Sequence, residues 1–327
     1  MKTLLSCTTL ALALPCLAQQ IGAPPPSVAQ PSGLNLGGTS FSDGMAGPPG
    51  WSYLAYLKYT EARSIRDGSG QANTAFNNPR LDVTTLINQF SYYSPDTFAH
   101  GAHFGWSVIV PVVSIHGRFG SGGAQLTGNG TALGDITTGP QVQFDPVEDA
   151  NGRPLYVQRL ALDVIVPTGK YDANQDLNPG SNFWSVNPYW AASWMPLPRW
   201  DFSWRLNYLY NARNDAPASS SPTPYLGQTV RSTRAGQTAW VNFAAAYAVT
   251  PTVSAGLSGY YLQQLTDDKV NGQRLSGSRE RVLGIGPGLF WRVSPARGLW
   301  LNTYREMRVE NRARNKLVLQ LRLAQAF

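Results

Sequence analysis

The chain closes on LVLQLRLAQAF, Leu317 to Phe327, in which Leu317, Leu319, Leu321 and Leu323 alternate with Val318, Gln320 and Arg322. Strict alternation describes a strand with one apolar face and one partly polar face. A strand with a final aromatic, Phe327, matches the last strand of a bacterial outer-membrane barrel, whose outward residues meet lipid and inward residues meet water. An edge strand of a soluble sheet would look similar in isolation, so the rest of the chain decides between them.

From Trp51 onward the same alternation recurs. The pattern predicts about twelve strands: Trp51 to Ile65, Leu81 to Tyr93, Phe104 to Ile115, Asp135 to Phe144, Tyr156 to Val166, Phe183 to Trp194, Trp200 to Tyr210, Ala239 to Val249, Val253 to Gln263, Val282 to Val293, Leu299 to Val309, and Lys316 to Phe327. Tight, Pro-bearing turns (Ser94-Pro95-Asp96, Thr250-Pro251) alternate with long polar loops such as Pro167 to Ser181 and Arg213 to Gly236. An antiparallel up-and-down barrel has this rhythm, with short periplasmic turns and long outer loops. Aromatics near strand ends, among them Trp51, Tyr92, Trp194, Trp200 and Trp300, suit girdles at the two membrane interfaces. The expected fold is therefore all-β, a transmembrane barrel over residues 51–327.

Composition agrees. Charged residues are 14% of the 327-residue chain, against roughly 25% in soluble domains. After the first residues no run of about 18 apolar residues occurs, so no helical span is expected. Residues 1–18 read as a signal peptide: Lys2, an apolar run from Leu4 to Leu14, then Cys16-Leu17-Ala18 as a cleavage site. Both cysteines, Cys7 and Cys16, fall inside it, which removes disulfides, zinc-cysteine sites and thiol catalysis from the mature chain. Residues 19–50, rich in Pro, Gly and Ser, read as a linker or a loosely packed plug.

The net charge of +7 is carried by dispersed arginines and offers no nucleic-acid patch. It suits anionic solutes or the phosphates of lipopolysaccharide. Charge on a lipid face costs about 2–4 kcal/mol at the midplane, so alternation assigns charged positions to the lumen wherever no bulge intervenes. The inward candidates are Lys58, His103, Asp163, Arg205, Arg292, Tyr304, Glu306, Arg308 and Arg322. Two readings compete for them: a constriction that orients a carboxylate or phenolate, and an internal network of Arg-Glu pairs with Glu306, Arg308 and Arg322 as neighbours.

No catalytic set emerges. His103 and Ser107 share parity on one strand, but four residues along a strand span roughly 13 Å, too far for a base and its nucleophile. Asp172, Asn174 and Asp176 open like a calcium loop, yet Leu177 and Phe183 stand where Gly and an acid are required, so no metal is expected. No cofactor motif is found either.

Several segments carry a family resemblance: Pro48-Pro49-Gly50-Trp51, Leu133-Gly134-Asp135, VPTGKYDANQDLNPGSNFWSVNPYWAASWMP from Val166, GYYLQQLTDD from Gly259, RVLGIGPGLFW from Arg281 and YREMRVENRARN from Tyr304. From Pro48 to Phe327 the chain resembles the outer-membrane family named for the meta-pathway of phenol degradation. Its first strand, LKYTEARSIRDGSG, departs in having less aromatic character. The resemblance implies a barrel that passes hydrophobic or aromatic catabolic substrates. The expectation is thus a passive outer-membrane channel for small hydrophobic or aromatic solutes, with a non-transporting structural barrel as the alternative. Expected partners are outer-membrane lipid, lipopolysaccharide and the barrel-assembly machinery, which would engage the strand ending in Phe327.

Overall fold

The computed structural model describes residues 27–98, 101–128, 130–218, 220–221 and 229–327. The expected signal peptide and the first residues of the expected plug lie outside the described residues.

Twelve strands close into one antiparallel barrel. They are β1 (Gly50–Ile65), β2 (Arg80–Thr97), β3 (Ala102–Arg118), β4 (Ile136–Phe144), β5 (Pro154–Val166), β6 (Ser185–Trp194), β7 (Trp200–Asn211), β8 (Thr238–Ala248), β9 (Val253–Gln264), β10 (Arg281–Ser294), β11 (Arg297–Glu310) and β12 (Ala313–Ala326). Each strand pairs with its sequence neighbours, and β12 pairs back onto β1 to close the ring, with Leu57 opposite Leu321. Closure leaves no free edge, which is what a sheet in lipid requires.

The two faces of the wall follow from alternation. Leu57, Leu86, Phe90, Leu257, Leu289 and Leu321 are exposed on the outside, while Ser107, Asn187, Asn242, Ser258, Asn302 and Gln320 are buried inside. In water such an apolar exterior would drive association; against acyl chains it is solvated. Aromatic pairs ring the turn side: Trp51 with Tyr92 at 5.3 Å, Trp194 with Phe202 at 5.9 Å and Trp200 with Tyr247 at 5.2 Å. Short turns join the strands at that rim, where β1 starts and β12 ends, which in an outer-membrane barrel is the periplasmic side. The opposite, outer rim carries the long loops, except between β11 and β12, where Asn311 turns the chain with φ at +54°.

Candidate functional site

The barrel interior is occupied by residues 27–49, which run down the lumen from the outer rim to the start of β1. At the outer end the Ser27 hydroxyl donates to the carbonyl of Asn311 (2.7 Å) and the Val28 amide to Asp268 (2.7 Å). Halfway down, the Gly37 amide donates to Asn242 (3.0 Å), and its carbonyl accepts from the Tyr304 hydroxyl (3.0 Å). Gly37 has φ +64°, and a Cβ there would lie 2.8 Å from both the Tyr260 and Tyr304 rings, so only glycine passes between them. Lower still, Gly44 donates to Ser193 (2.9 Å) and Ala46 to Gln143 (3.0 Å). A segment without regular structure has to satisfy its amides elsewhere, and the polar inner face of the barrel supplies the partners.

The tightest of these contacts is ionic. Asp43 accepts two hydrogen bonds from Arg205, from Nε at 3.0 Å and from Nη2 at 2.6 Å. Arg159 adds a bond to the Asp43 carbonyl at 3.1 Å and stands 3.6 Å from its carboxylate. The Tyr189 ring supports both cations, 4.4 Å from Arg205 and 5.9 Å from Arg159. Arg159 also reaches the Tyr93 hydroxyl, which bonds Gln141. A planar guanidinium held on a ring and aimed at a carboxylate is a recognition geometry for carboxylates in general.

Among the sequence candidates, Asp163, Arg205, Tyr304, Glu306 and Arg322 are buried on the inner face. Lys58 also faces inward, donating to the Leu36 carbonyl at 2.8 Å. Arg322 lies with its guanidinium 3.8 Å from the centre of the Trp300 ring, its direct neighbour across β11–β12. Glu306 accepts from Tyr260 (2.8 Å) and from both nitrogens of Asn315. The expected grouping of Glu306 with Arg308 and Arg322 is therefore not what the structure contains.

Three placements need correction. Arg308 is exposed on the outer surface, because a bulge with φ +52° at that residue reverses the alternation and turns Val309 inward. His103 sits at the periplasmic rim, where the β2–β3 register shifts; its ring bonds the Ser94 carbonyl (2.8 Å) and Asp145 (3.1 Å), away from the lumenal cluster. Arg292 is exposed at the same rim, the mouth of the lumen rather than its interior. Two central residues escaped the sequence reading. Arg159 shares parity with Asp163 on β5 and could have been found that way, whereas Asp43 lies in a stretch without period.

The segment does not fill the lumen. Most of its contacts fall on β6–β9 and β11, with single ties to β1, β4, β5 and β12, and a cavity of about 760 Å³ remains beside it along β1–β5 and β12. Leu54, Ile87, Ile109 and Ile165 line its wall, and Arg159 from β5, Arg205 from β7 and Arg322 from β12 line it as well. Its lining extends from Leu177 and Arg312 at the outer rim to Pro295 and Ala326 at the periplasmic rim.

A closed barrel with an apolar exterior and a cavity that reaches both rims defines an outer-membrane barrel of channel type. Residues 62–323 match the family described as the putative MetA-pathway of phenol degradation, and the chain belongs to it. Among solved structures it is similar to an outer-membrane channel of Pseudomonas putida F1, with 17% identity, TM-score 0.73, and coverage of 88% of this chain and 100% of that one. Weaker likenesses are to the β domain of the Bordetella autotransporter Brka (10% identity, TM-score 0.48, 85% and 100% covered) and to a Pseudomonas aeruginosa FadL homologue (11%, 0.38, 93% and 99%). No curated protein matches the chain.

Proposed function

We propose that the protein is a passive channel through which small aromatic anions cross the outer membrane, with residues 27–49 acting as a plug that leaves one side of the lumen open. The observation that carries this reading is the cavity itself, where an apolar strip of Leu54, Ile87, Ile109 and Ile165, interleaved with polar residues such as Gln89 and Gln141, faces the guanidinium groups of Arg159, Arg205 and Arg322, with Asp43 as the acid set against them. An aromatic acid has the matching halves, a ring for the apolar wall and a carboxylate or phenolate for the guanidinium groups. Asp43 occupies the seat such a carboxylate would take on Arg205. Passage then proceeds by exchange, the solute anion replacing Asp43 and moving on when Asp43 returns. An interior site that binds weakly and reversibly supports flux, whereas one that binds tightly blocks it.

The test is conductance of the refolded chain in planar bilayers with benzoate added, together with benzoate and benzyl alcohol uptake into proteoliposomes. Discrete openings blocked by benzoate, with faster entry of benzoate than of benzyl alcohol, support the channel. The non-transporting structural barrel stays as a second reading because residues 27–49 are hydrogen-bonded along their whole length. Silence and zero flux, persisting when Asp43 is replaced by alanine, would decide for it.

A further inference from the structure

The bulge that carries Arg308 outward also builds a groove. On the outer surface at the outer rim, Arg66, Arg281, Arg308 and Arg314 surround a depression of about 310 Å³, and Glu310 is the acid among its lining residues. Glu310 is taken by Arg281. Arg66 reaches the Gly70 carbonyl at 3.4 Å and Arg314 the Glu306 carbonyl at 3.2 Å, contacts that fix their stems without neutralising them. Arg308 is exposed and holds a left-handed backbone, which a non-glycine residue adopts rarely. Such a conformation at a charged residue, lifted out of the strand's alternation, points to a use for the charge outside the lumen.

The position of the groove says what that use is. Met307 forms its lower lip, and Ile285 and Leu317 continue the same face as exposed apolar residues. The groove therefore straddles the line where the lipid-facing band ends and the outer loops begin. Arg305, also exposed, lies within the apolar face opposite Ile285, from where a long side chain can rise toward the groove. We infer that this groove binds a phosphate of the glycolipid of the outer leaflet, the lipid A phosphate, with the acyl chains lying along Met307, Ile285 and Leu317. Arginine forks match phosphate oxygens in pairs, and basic clusters at a membrane interface select anionic headgroups. A free phosphate would use the arginines but not the apolar lip. The inference rests on outer-membrane placement and is independent of solute passage.

The probe is bisphosphorylated lipid A, titrated onto the refolded chain in detergent, with dephosphorylated lipid A and millimolar inorganic phosphate as comparisons. The readout is lipid co-elution together with the temperature at which gel migration changes. Lipid A should bind and raise that temperature. The R66Q/R308G double variant should bind on the order of tenfold more weakly, while bilayer conductance stays at the parent value. Glycine at 308 accepts the left-handed backbone, so this variant removes charge without straining the bulge. Equal binding of dephosphorylated lipid A, equal protection by inorganic phosphate, or unchanged lipid binding by a double variant that still migrates as a folded barrel would overturn the assignment.

Discussion

Arg205 holds the carboxylate of Asp43 through two hydrogen bonds, although the two residues lie 162 positions apart in the chain. The pair joins the lumenal segment to the barrel wall, and both partners are buried. Removing one member of a buried ion pair costs about 3–5 kcal/mol, because the other charge is left without compensation. Asp43→Ala should therefore weaken docking of residues 27–49 and leave Arg159 and Arg205 open to solutes. The expected outcome is larger conductance, a stronger preference for anions and tighter block by benzoate. Limited proteolysis of the reconstituted protein should cut the segment faster than in the parent.

Steric undocking provides a charge-neutral counterpart. A Cβ at Gly44 would come 2.4 Å from the Val157 carbonyl and 2.5 Å from the Ser193 amide, so Gly44→Ala cannot sit against β5–β6 as glycine does. This variant should also open the channel, but with ion selectivity close to that of the parent. If both variants shift selectivity equally, Asp43 does not act through its charge.

Arg322 and Trp300 make the second cationic station, 3.8 Å apart. Stacking of this kind contributes about 0.5–2 kcal/mol and fixes the guanidinium plane. Arg322→Ala should reduce benzoate block several-fold, and Trp300→Leu should do so by less. Reversal potentials in asymmetric salt measure the change in selectivity. Unaltered block in both would remove this pair from the solute path.

At the outer rim Asp268 is buried, and burial pushes its pKa up to about 7 despite the amides of Val28 and Gly236 that donate to it. Glu280, which meets Ser27, is likewise raised by burial. An acid with a folded-state pKa above its unfolded value binds protons more strongly when folded, so stability falls as pH rises between the two values. The sign follows for this group: the stability held by protonated Asp268 is fully present below about pH 4 and is lost, on the order of 4 kcal/mol, as pH rises to about 7. Asp268→Asn should flatten that dependence, as read from the temperature of the gel-migration change at pH 5 and pH 8.

The barrel was legible in the sequence because alternation is a direct image of a wall between lipid and water. Leu317 to Leu323 against Gln320 and Arg322 already separate the two faces, and the long loops already mark the outer rim. The site was legible only where the period held. Arg205 and Arg322 follow the alternation and lie inside; Arg308 breaks it at a bulge, and a bulge leaves no trace in a hydrophobic pattern. His103 keeps the parity but stands where the register slips, so parity gives its side of the wall and not its depth. Asp43 belongs to a segment whose conformation is set by the barrel around it, and no local signal could give its partner.

The lumenal segment also sets an odd count of crossings. Ser27 meets Asn311 at the outer rim, and β1 begins at the periplasmic one, so the polypeptide traverses the membrane once inside the ring before its twelve passes as wall. Ser27 and Ala326 consequently lie on opposite sides, as they would not in a barrel with an empty bore. The seam between β1 and β12 has to shut around a segment of the same chain, or that segment has to be drawn through a finished ring. Assembly of this protein is in that sense a threading problem, and cysteines at the exposed Ala29 and at Ala326, treated in intact cells with an impermeant reagent, would report which rim each residue has reached.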